Sequence, residues 1–319
     1  MIKKIALGRT MQQISCMGLG TMYFGTKVSE QTSFDIMDVY AQAGGSFLDS
    51  ANKYASWIPG FEGGESEQLI GKWMKCRRNR NEMFVSSKVG FAYGNIPRSL
   101  KKNVIISECE KSLKRMGTDV IDLYFAHAYD AETLVEESME AFYQLKKSGK
   151  IRFAGASNYY GWQLLESNII AQAQGWDGFC CLQQRHTYLE PTLRANFGTQ
   201  QLLTPEIQSL CKSKNITMMA YSPLLGGVYM KSGFDLPVQY QAASTNFKLA
   251  NLNTVASDLQ VSANAVVLAW MIQSHPFVIP MVTGSSVAQI EENLQASKIK
   301  LSVEQMELLE QELVQPNKY

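Results

Sequence analysis

The sequence predicts an α/β fold of the (β/α)8 barrel type. Short apolar runs alternate with longer segments whose apolar residues recur at helical spacing, and this alternation repeats about eight times. No linker interrupts the repeats, and several of the apolar runs lead directly into a polar side chain. The chain has 319 residues, which suits one barrel of about 250 residues with insertions. We therefore expect residues 1–319 to form a single closed barrel domain rather than an open doubly wound sheet.

The apolar runs define the predicted strands. A strand pair within residues 1–16 should cover the bottom of the barrel. Three barrel strands are predicted to end at Asp49, Lys88 and His127. The other predicted strands are Met17–Gly20, Ile151–Ala156, Phe179–Gln183, Ile216–Tyr221 and Val278–Val282. Pro280 makes the last of these the least regular, because proline cannot donate a hydrogen bond to a neighbouring strand.

The helices are predicted from apolar stripes and from the residues that begin and end them. Ile105, Cys109 and Leu113 recur every four positions and mark the buried face of a helix that follows Pro97. A second stripe consists of Val135, Met139, Phe142 and Leu145. Further helices are predicted at Glu30–Ala43, from Glu65 towards Cys76, and from Val303 to about Leu313.

Two long irregular stretches follow the sixth and seventh predicted strands, at Tyr188–Leu203 and Gly226–Ser244. Loops of such length usually serve a function. In a parallel barrel both would lie on the C-terminal face, where the side chains at the strand ends converge. We therefore expect both loops to border a functional site.

Composition limits the partners of this protein. Lys and Arg together number 30 and Asp and Glu number 29, so the net charge of +1 indicates neither nucleic acid nor an acidic surface as a partner. One local run of charge, Lys75, Arg77, Arg78 and Arg80, ends a predicted helix, where cations complement the helix dipole and a solvated surface is expected. No apolar run reaches the ~20 residues of a membrane span.

The cysteines and the N-terminus favour a cytoplasmic protein. The 6 cysteines show no CxxC spacing and are typical of small core residues in a reducing compartment. The apolar stretch Met1–Leu7 is too short for a signal peptide. No metal is expected, since the 3 histidines, His127, His186 and His275, lack the spacing of metal ligands. His186 either lines a pocket or packs in the core.

Four polar residues at or just after strand ends suit proton transfer to a carbonyl oxygen. A phenol such as Tyr54 is a poor acid at neutral pH, and a nearby ammonium, Lys88, would lower its pKa. Asp49 can hold Lys88 charged and oriented, and His127 can bond the substrate oxygen or relay a proton. Each residue alone is more often a structural group. Their combination on successive strand ends of one fold is what favours a catalytic function.

The segments that contain these residues resemble the aldo-keto reductase family. Phe47–Tyr54 (FLDSANKY), Ser87–Gly90 (SKVG) and Ile121–His127 (IDLYFAH) resemble the family's aspartate, tyrosine, lysine and histidine motifs, in the same order. The resemblance extends over nearly the whole chain. It implies a TIM barrel in which Asp49, Tyr54, Lys88 and His127 form a catalytic tetrad, with Tyr54 as the general acid.

The resemblance also implies a nicotinamide cofactor held at the strand ends. The chain has no GxGxxG motif and no P-loop, so the cofactor must lie outside a Rossmann unit. Ser157 and Asn158 resemble the pair that bonds the carboxamide, and either Gln183 or Gln184 should join them, with spacing in favour of Gln183. The implied cofactor-binding residues are Gly20, Thr21, Met22, Asp49, Ser157, Asn158, Gln183, Tyr221, Ser222, Pro223, Leu224, Gly284, Ser285, Ser286, Gln289, Glu292 and Asn293.

Two of these segments indicate how each end of the cofactor is held. Tyr221 would stack on the nicotinamide, with core packing as the alternative. Ser285 and Ser286 precede a helix whose N-terminal amides suit a phosphate. Gln289 stands where some relatives place an arginine that grips a 2′-phosphate, but the potassium-channel beta subunits share this pattern and hold NADPH. NADP(H) is therefore favoured, with NAD(H) as the alternative.

The predicted activity is the reversible, NADP(H)-linked reduction of an aldehyde or ketone to the alcohol. Tyr23, Trp57, His127 and the two long loops would line the pocket for this small molecule. A cofactor-sensing regulatory subunit, like the channel beta subunits, is the alternative, although the chain has no N-terminal extension for docking. A third possibility is an isomerase or lyase that forms a Schiff base at Lys88. The sequence does not indicate an oligomeric state.

Overall fold

The computed structural model describes residues 1–230 and 236–313. It begins with an antiparallel strand pair, β1 (Lys4–Ala6) and β2 (Gln13–Ser15), in which Ile5 lies opposite Ile14. The side chains of Leu7 and Ile14 are fully buried in the apolar cluster that fills the barrel interior. The predicted N-terminal pair therefore covers one end of the barrel.

Eight parallel strands close into a barrel, because the last of them pairs with both the first and the seventh. The strands are β3 (Gly18–Gly20), β4 (Phe47–Asp49), β5 (Phe84–Val89), β6 (Ile121–Ala126), β7 (Ile151–Ser157), β8 (Cys181–Arg185), β9 (Thr217–Tyr221) and β10 (Ile279–Val282). They are buried along most of their length, as strands covered by helices must be. The predicted (β/α)8 TIM barrel is confirmed.

Helices surround the barrel. They are α1 (Glu30–Gln42), α2 (Glu65–Arg77), α3 (Lys102–Met116), α4 (Val135–Lys147), α5 (Gly161–Ala173), α6 (Pro205–Ser213), α7 (Thr245–Leu259), α8 (Ala263–Gln273), α9 (Val287–Gln295) and α10 (Val303–Glu310). Side-chain oxygens of Ser29, Thr204 and Ser262 accept hydrogen bonds from the first turns of α1, α6 and α8, so ordinary N-caps begin these helices.

The apolar stripes predicted on α3 and α4 face the core. Ile105, Cys109 and Leu113 are buried on α3, and Met139 and Phe142 are buried on α4. The sequence does not delimit α5 to α8 as clearly. On α8 nearly every residue is buried, so apolar side chains occur on all sides and no stripe stands out.

The strand ends differ from the prediction by one or two residues. β5 ends one residue beyond Lys88, and β6 ends one residue before His127. β8 covers Cys181–Arg185 instead of Phe179–Gln183, because its pairing with β9 continues as far as its last residue. Pro280 lies inside β10 and is paired with β9, so this proline does not exclude the strand.

The helix ends differ by a similar amount. α1 ends one residue before the predicted Ala43, and α2 extends one residue past Cys76. α10 ends at Glu310, short of the predicted Leu313. Among the described residues no single helix is long and apolar enough to cross a membrane; α7 and α8 meet that criterion only as a pair, with a bend of 98° between them.

The two long loops after β8 and β9 contact each other over the C-terminal face. The amide of Thr192 donates to the carbonyl of Gln239 at 2.7 Å, and the amide of Leu189 donates to the hydroxyl of Tyr229 at 3.3 Å. Short 3-10 turns interrupt the second loop at 228–230 and 238–240, which the prediction of an irregular stretch did not include. Residues 231–235 of that loop lie outside the described residues.

Candidate active site

Lys88 lies at the centre of the polar group on the C-terminal face. Its side chain is completely buried near the end of β5. The ammonium donates to Asp49 Oδ2 at 2.7 Å, to the carbonyl of Ser50 at 2.8 Å and to the hydroxyl of Tyr54 at 2.8 Å. All three N–H bonds of the ammonium are therefore engaged. Asp49 and Tyr54 thus meet Lys88, which lies 39 and 34 positions further along the chain.

The carboxylate of Asp49 is held from both sides. Its Oδ1 accepts from Ser86 Oγ at 2.6 Å and from Gln183 Nε2 at 3.3 Å. Its Oδ2 accepts from Lys88, and the residue is 2% exposed. A buried carboxylate that accepts from an ammonium and from two neutral donors is held in a fixed orientation.

The turn that carries Tyr54 leaves β4 and returns over Lys88. Tyr54 lies two residues after Asn52, whose side-chain amide donates to Glu108 Oε2 at 2.9 Å. The next residue, Ala55, has a φ of 69°, so the chain bends sharply in the left-handed region at this point. Two attachments thus determine where the phenol lies: its bond to Lys88 and the anchoring of Asn52 on α3.

His127 lies just beyond β6 and beside Tyr54. The two ring centroids are 6.2 Å apart, and the ring of Phe91 lies 4.7 Å from the imidazole on another side. The backbone of His127 is fixed at both ends, since its amide donates to Val89 and its carbonyl accepts from Asn158 at 2.9 Å. The buried Nδ1 of the ring has no hydrogen-bond partner among the described residues.

Burial dominates the ionisation of these groups. It raises the pKa of Tyr54 well above its ordinary value, and the charge of Asp49 raises it further. The predicted lowering of this pKa is therefore wrong, because burial and a nearby carboxylate outweigh the ammonium. Burial lowers the pKa of Lys88, against the opposing effect of Asp49. Burial, followed by the charges of Lys88 and Lys53, lowers the pKa of His127 well below 6.5, so its imidazole is neutral.

Asn158 links the ends of three strands. It follows Ser157 at the end of β7 and has a φ of 57°. Its side-chain amide donates to the carbonyl of His127 at 2.9 Å and to Ser157 Oγ at 3.1 Å. Its Oδ1 accepts from the hydroxyl of Tyr221 at 2.7 Å and from the amide of Gln201 at 3.1 Å. The amide predicted to bond a carboxamide thus also holds the strand ends together.

Gln183 and Gln184 have different surroundings. Gln183 donates to Asp49 and therefore faces the polar centre of the barrel. Gln184 accepts from the amide of Asn158 at 2.6 Å and donates to the carbonyl of Tyr159 at 2.7 Å. The alternation of side chains along β8 separates the two. This geometry favours Gln183 at the site, as the spacing did.

The segment after β9 is tied to the residues that follow β8. Tyr221 is partly buried, and Ser222 has a φ of 55°. The carbonyl of Pro223 accepts from Thr187 Oγ1 at 2.6 Å, and Leu224 is buried. The hydroxyl of Tyr221 binds Asn158, so the ring is fixed at its far end.

The segment before α9 forms a compact turn. Ser286 is the N-cap of α9, where its Oγ accepts from the amide of Gln289 at 3.4 Å. The side-chain oxygen of Gln289 accepts from the amide of Ser285 at 2.8 Å and from its hydroxyl at 3.3 Å. A Cβ on Gly284 would lie 3.2 Å from Gln289 Cβ, so glycine allows this close turn. The side chain of Gln289 thus stabilises the turn through its hydrogen bonds to Ser285.

Glu292 and Asn293 lie further along α9 and make structural contacts. Glu292 Oε1 accepts from Asn264 Nδ2 at 3.4 Å. Asn293 Nδ2 donates to the carbonyl of Thr283 at 3.3 Å. Both contacts hold α9 against the end of β10 and against α8.

The residues after β3 lie on the other side of Asp49. Gly20 ends the strand, and Thr21 is buried with its hydroxyl 2.9 Å from the carbonyl of Asp49 and 2.7 Å from Ser66 Oγ. Met22 is partly buried. The side chain of Thr21 therefore supports the backbone of the site rather than pointing into open space.

The predicted pocket residues differ in exposure. Trp57 is 48% exposed, and the ammonium of Lys53 lies 5.7 Å from its ring centroid. Tyr23 is partly buried against the core, with Lys27 Nζ 4.8 Å from its ring. Trp57 can therefore border a pocket next to Tyr54. Part of the side chain of Tyr23 packs against the core, so less of it can face a pocket.

His186 packs against an aromatic side chain. Its ring stacks on Trp270 of α8 with the centroids 5.7 Å apart and the planes 30° from parallel. Burial lowers the pKa of His186 to about 4. Of the two possibilities for this residue, the contacts favour packing.

Sequence reasoning missed a buried polar group behind the site. Glu108 on α3 is fully buried and accepts from Asn52, Tyr93 and Lys111. The signal was present, because a glutamate at this position shares the α3 stripe with Ile105. A charged residue within an apolar stripe needs buried partners.

Comparisons with known proteins agree with this geometry. A sequence profile described as Aldo/keto reductase family matches residues 16–313. The uncharacterized oxidoreductase YrpG of Bacillus subtilis is 30% identical over 317 residues, which cover 95% of this chain and 93% of that protein. Norsolorinic acid reductase stcV of Emericella nidulans is 28% identical over 316 residues, which cover 92% and 77%.

A solved structure shares the fold. The crystal structure of a thermostable aldo-keto reductase in complex with the inhibitor epalrestat superposes with a TM-score of 0.77 at 26% identity. The match covers 97% of this chain and 98% of the other. The regulatory alternative gains no support from these relatives. The chain belongs to the aldo/keto reductase family, whose members are oxidoreductases that reduce carbonyl groups.

Proposed function

We propose that this protein catalyses the reversible, NADP(H)-dependent reduction of an aldehyde or ketone to the alcohol, with Tyr54 as the proton donor. One observation carries the proposal. The hydroxyl of Tyr54 accepts a hydrogen bond of 2.8 Å from Lys88, whose ammonium also binds Asp49 at 2.7 Å. A phenol, an ammonium and a carboxylate in one buried chain, next to an imidazole, form a group suited to protonating an oxyanion.

The raised pKa of Tyr54 suits a proton donor. The phenol is protonated at neutral pH, so it can give its proton to the substrate oxygen as negative charge develops there. Lys88 would then stabilise the phenolate through a charge-assisted hydrogen bond that already exists. In the opposite direction the phenolate would take the proton of the alcohol. The neutral imidazole of His127 can bond the same oxygen without adding charge.

The donors and the aromatic side chain on the C-terminal face fit a nicotinamide dinucleotide. When bound, this cofactor supplies the two electrons of the reduction as a hydride equivalent. Tyr221 offers a ring on which a flat heterocycle can stack, and Ser157, Asn158 and Gln183 offer groups for a carboxamide. Phosphates would suit the N-terminus of α9 and the hydroxyls of Ser222, Ser285 and Ser286. The other residues of the proposed cofactor site are Gly20, Thr21, Met22, Pro223, Leu224, Gly284, Gln289, Glu292 and Asn293.

The choice of NADP(H) over NAD(H) depends on the turn before α9. No lysine or arginine occurs between residues 284 and 293. The side-chain oxygen of Gln289 is already engaged by Ser285. A 2′-phosphate would therefore be held by serine hydroxyls and backbone amides, and NAD(H) is the alternative cofactor.

The third possibility, a Schiff base at Lys88, is disfavoured by the contacts of its nitrogen. The ammonium is completely buried, and all three of its N–H bonds are engaged. A nucleophilic amine would have to lose a proton and at least one of these bonds. The ammonium is thus better suited to stabilising charge than to attacking a carbonyl.

Fluorescence titration with NADPH and with NADH, followed by stopped-flow kinetics with a panel of aliphatic and aromatic carbonyl compounds, tests the proposal. We expect tight binding of NADPH and its oxidation by at least one aldehyde. Tight binding without turnover across the panel would favour the regulatory alternative. Binding of neither nucleotide would contradict the proposed cofactor site.

A further inference from the structure

Lys53 lies next to Tyr54 at the edge of the site, and its ammonium is close to two aromatic rings. Its Nζ is 4.6 Å from the ring centroid of Phe91 and 5.7 Å from that of Trp57. The ring of Phe91 in turn lies 4.7 Å from that of His127. Two short contacts therefore connect this ammonium to the imidazole beside which a substrate carbonyl would bind.

The charge of Lys53 is not neutralised by a nearby acid. Among residues 1–230 and 236–313, no carboxylate lies within 4.0 Å of its Nζ. Partial burial lowers the pKa of Lys53, and its positive charge contributes to the low pKa of His127. The field of this cation thus reaches the catalytic face of the barrel.

Arg98 adds a second cation on the same aromatic ring. Its guanidinium carbon lies 5.7 Å from the centroid of Phe91, and its terminal nitrogen donates to the carbonyl of Tyr129 at 2.6 Å. In the described part of the chain no carboxylate lies within 4.0 Å of its guanidinium, although its charge contributes to the low pKa of Asp130. Trp57, Phe91 and the two cations thus form an aromatic wall with positive charge at its edge, which we call the Lys53 wall.

We propose that the Lys53 wall selects carbonyl substrates that carry an anionic group, with Lys53 as the residue that binds this group. The inference rests on the proposed reduction and names its substrate class. Flat apolar faces suit the body of such a molecule, and an ammonium without a carboxylate partner suits its charge. A neutral substrate would leave the cation without a counter-charge.

A matched pair of substrates tests this inference, namely 4-carboxybenzaldehyde and its methyl ester, which differ mainly in charge. We expect the wild-type enzyme to reduce the acid with a kcat/KM at least ~10-fold higher than the ester, mainly through a lower KM. The preference should shrink as ionic strength rises, because salt screens the attraction. Lys53→Met should bring the kcat/KM values for acid and ester close together, mainly through a loss for the acid, and Lys53→Arg should keep most of the preference.

Lys147→Met is the matched control, since Lys147 also lies over an aromatic ring, that of Tyr143, but on the outer helix α4. This variant should retain the wild-type preference. An equal kcat/KM for acid and ester in the wild type would overturn the inference and leave the proposed reduction intact. An equal loss for both substrates in Lys53→Met would assign Lys53 a purely structural role. No turnover of either compound with either cofactor would overturn the reduction and the inference together.

Discussion

The ammonium of Lys88 has all its donors directed to protein oxygens, and this determines what its neighbours can do. It binds the carboxylate of Asp49, the carbonyl of Ser50 and the phenol of Tyr54. Burial raises the pKa of Tyr54 and lowers that of Lys88, and the carboxylate of Asp49 opposes the shift at Lys88. The resting phenol is therefore protonated. The ammonium is placed to stabilise the phenolate that forms when the proton leaves.

Replacing Tyr54 by Phe tests the proton donor. The variant keeps the aromatic ring and loses only the hydroxyl, so carbonyl reduction should fall by at least about 1,000-fold. NADPH should bind with nearly unchanged affinity, as measured by fluorescence titration. Appreciable reduction by Tyr54→Phe would contradict the role of general acid.

Replacing Lys88 by Met should abolish turnover for a different reason. The phenolate loses its ammonium, and the buried carboxylate of Asp49 loses its charged partner, which should cost about 3–5 kcal/mol of unfolding free energy. Chemical denaturation and single-turnover kinetics measure the two effects separately.

A double variant distinguishes misfolding from lost chemistry. Asp49→Asn combined with Lys88→Met removes both charges and should recover most of the lost stability without recovering turnover. Wild-type rates in Lys88→Met would show that the ammonium does not stabilise the phenolate.

At the level of structural elements, the turn that carries Tyr54 is attached to a helix outside the barrel. Asn52 in this turn donates to Glu108 of α3, and the loop after β5 donates to the same carboxylate through the hydroxyl of Tyr93. Three hydrogen-bonded partners keep the pKa of Glu108 below its ordinary value although burial opposes this. A carboxylate on α3 thus connects the β4 turn with the β5 loop.

Asn52→Ala should loosen the turn that carries Tyr54. We expect kcat to fall by about 10- to 100-fold, because small displacements of a positioned group reduce rates strongly, while the affinity for NADPH stays unchanged. Tyr93→Phe is the matched control: it removes a donor to the same carboxylate without touching the turn, so stability should fall but kcat should remain. An equal fall of kcat in both variants would mean that Glu108 acts through general stability.

At the level of the whole molecule, the site depends on eight strand ends and on two loops that contact each other above them. His186 lies in this upper layer, where its amide donates to the carbonyl of Tyr221 at 3.4 Å and its ring stacks on Trp270. The folded state keeps its imidazole neutral down to about pH 4. An unfolded chain would protonate it below about pH 6.5.

This difference predicts acid sensitivity. As the pH falls below about 6.5, the unfolded state binds a proton that the folded state rejects, so stability decreases until the folded pKa of about 4 is reached. The loss between pH 7 and pH 5 should be about 2 kcal/mol. His186→Phe keeps a stacking ring and cannot titrate, so its melting temperature should fall less over this interval. Parallel pH dependences of the two proteins would contradict the assignment.

The sequence alone determined the barrel and the positions of its polar residues. Apolar residues recur at the spacing of strands in some segments and at the spacing of helices in others. Both patterns depend only on residues that are close together in the sequence. The FLDSANKY, SKVG and IDLYFAH segments are equally local, so their order indicated the family before any contact was known. Strand ends were predicted only to within two residues. Hydrogen bonding to a neighbouring strand decides where each strand stops, and this pairing is not visible in a local pattern.

Only the tertiary structure decided how these residues are charged and supported. The pKa of Tyr54 rises instead of falling, because burial and Asp49 act on it through space and neither can be measured from a local pattern. Spacing in the sequence favoured Gln183 over Gln184 but left both open, and the pleat of β8 directs Gln183 to the polar centre and Gln184 to Asn158. The contact of Glu108 with Asn52 joins residues 56 positions apart, and such contacts exist only once the chain has folded.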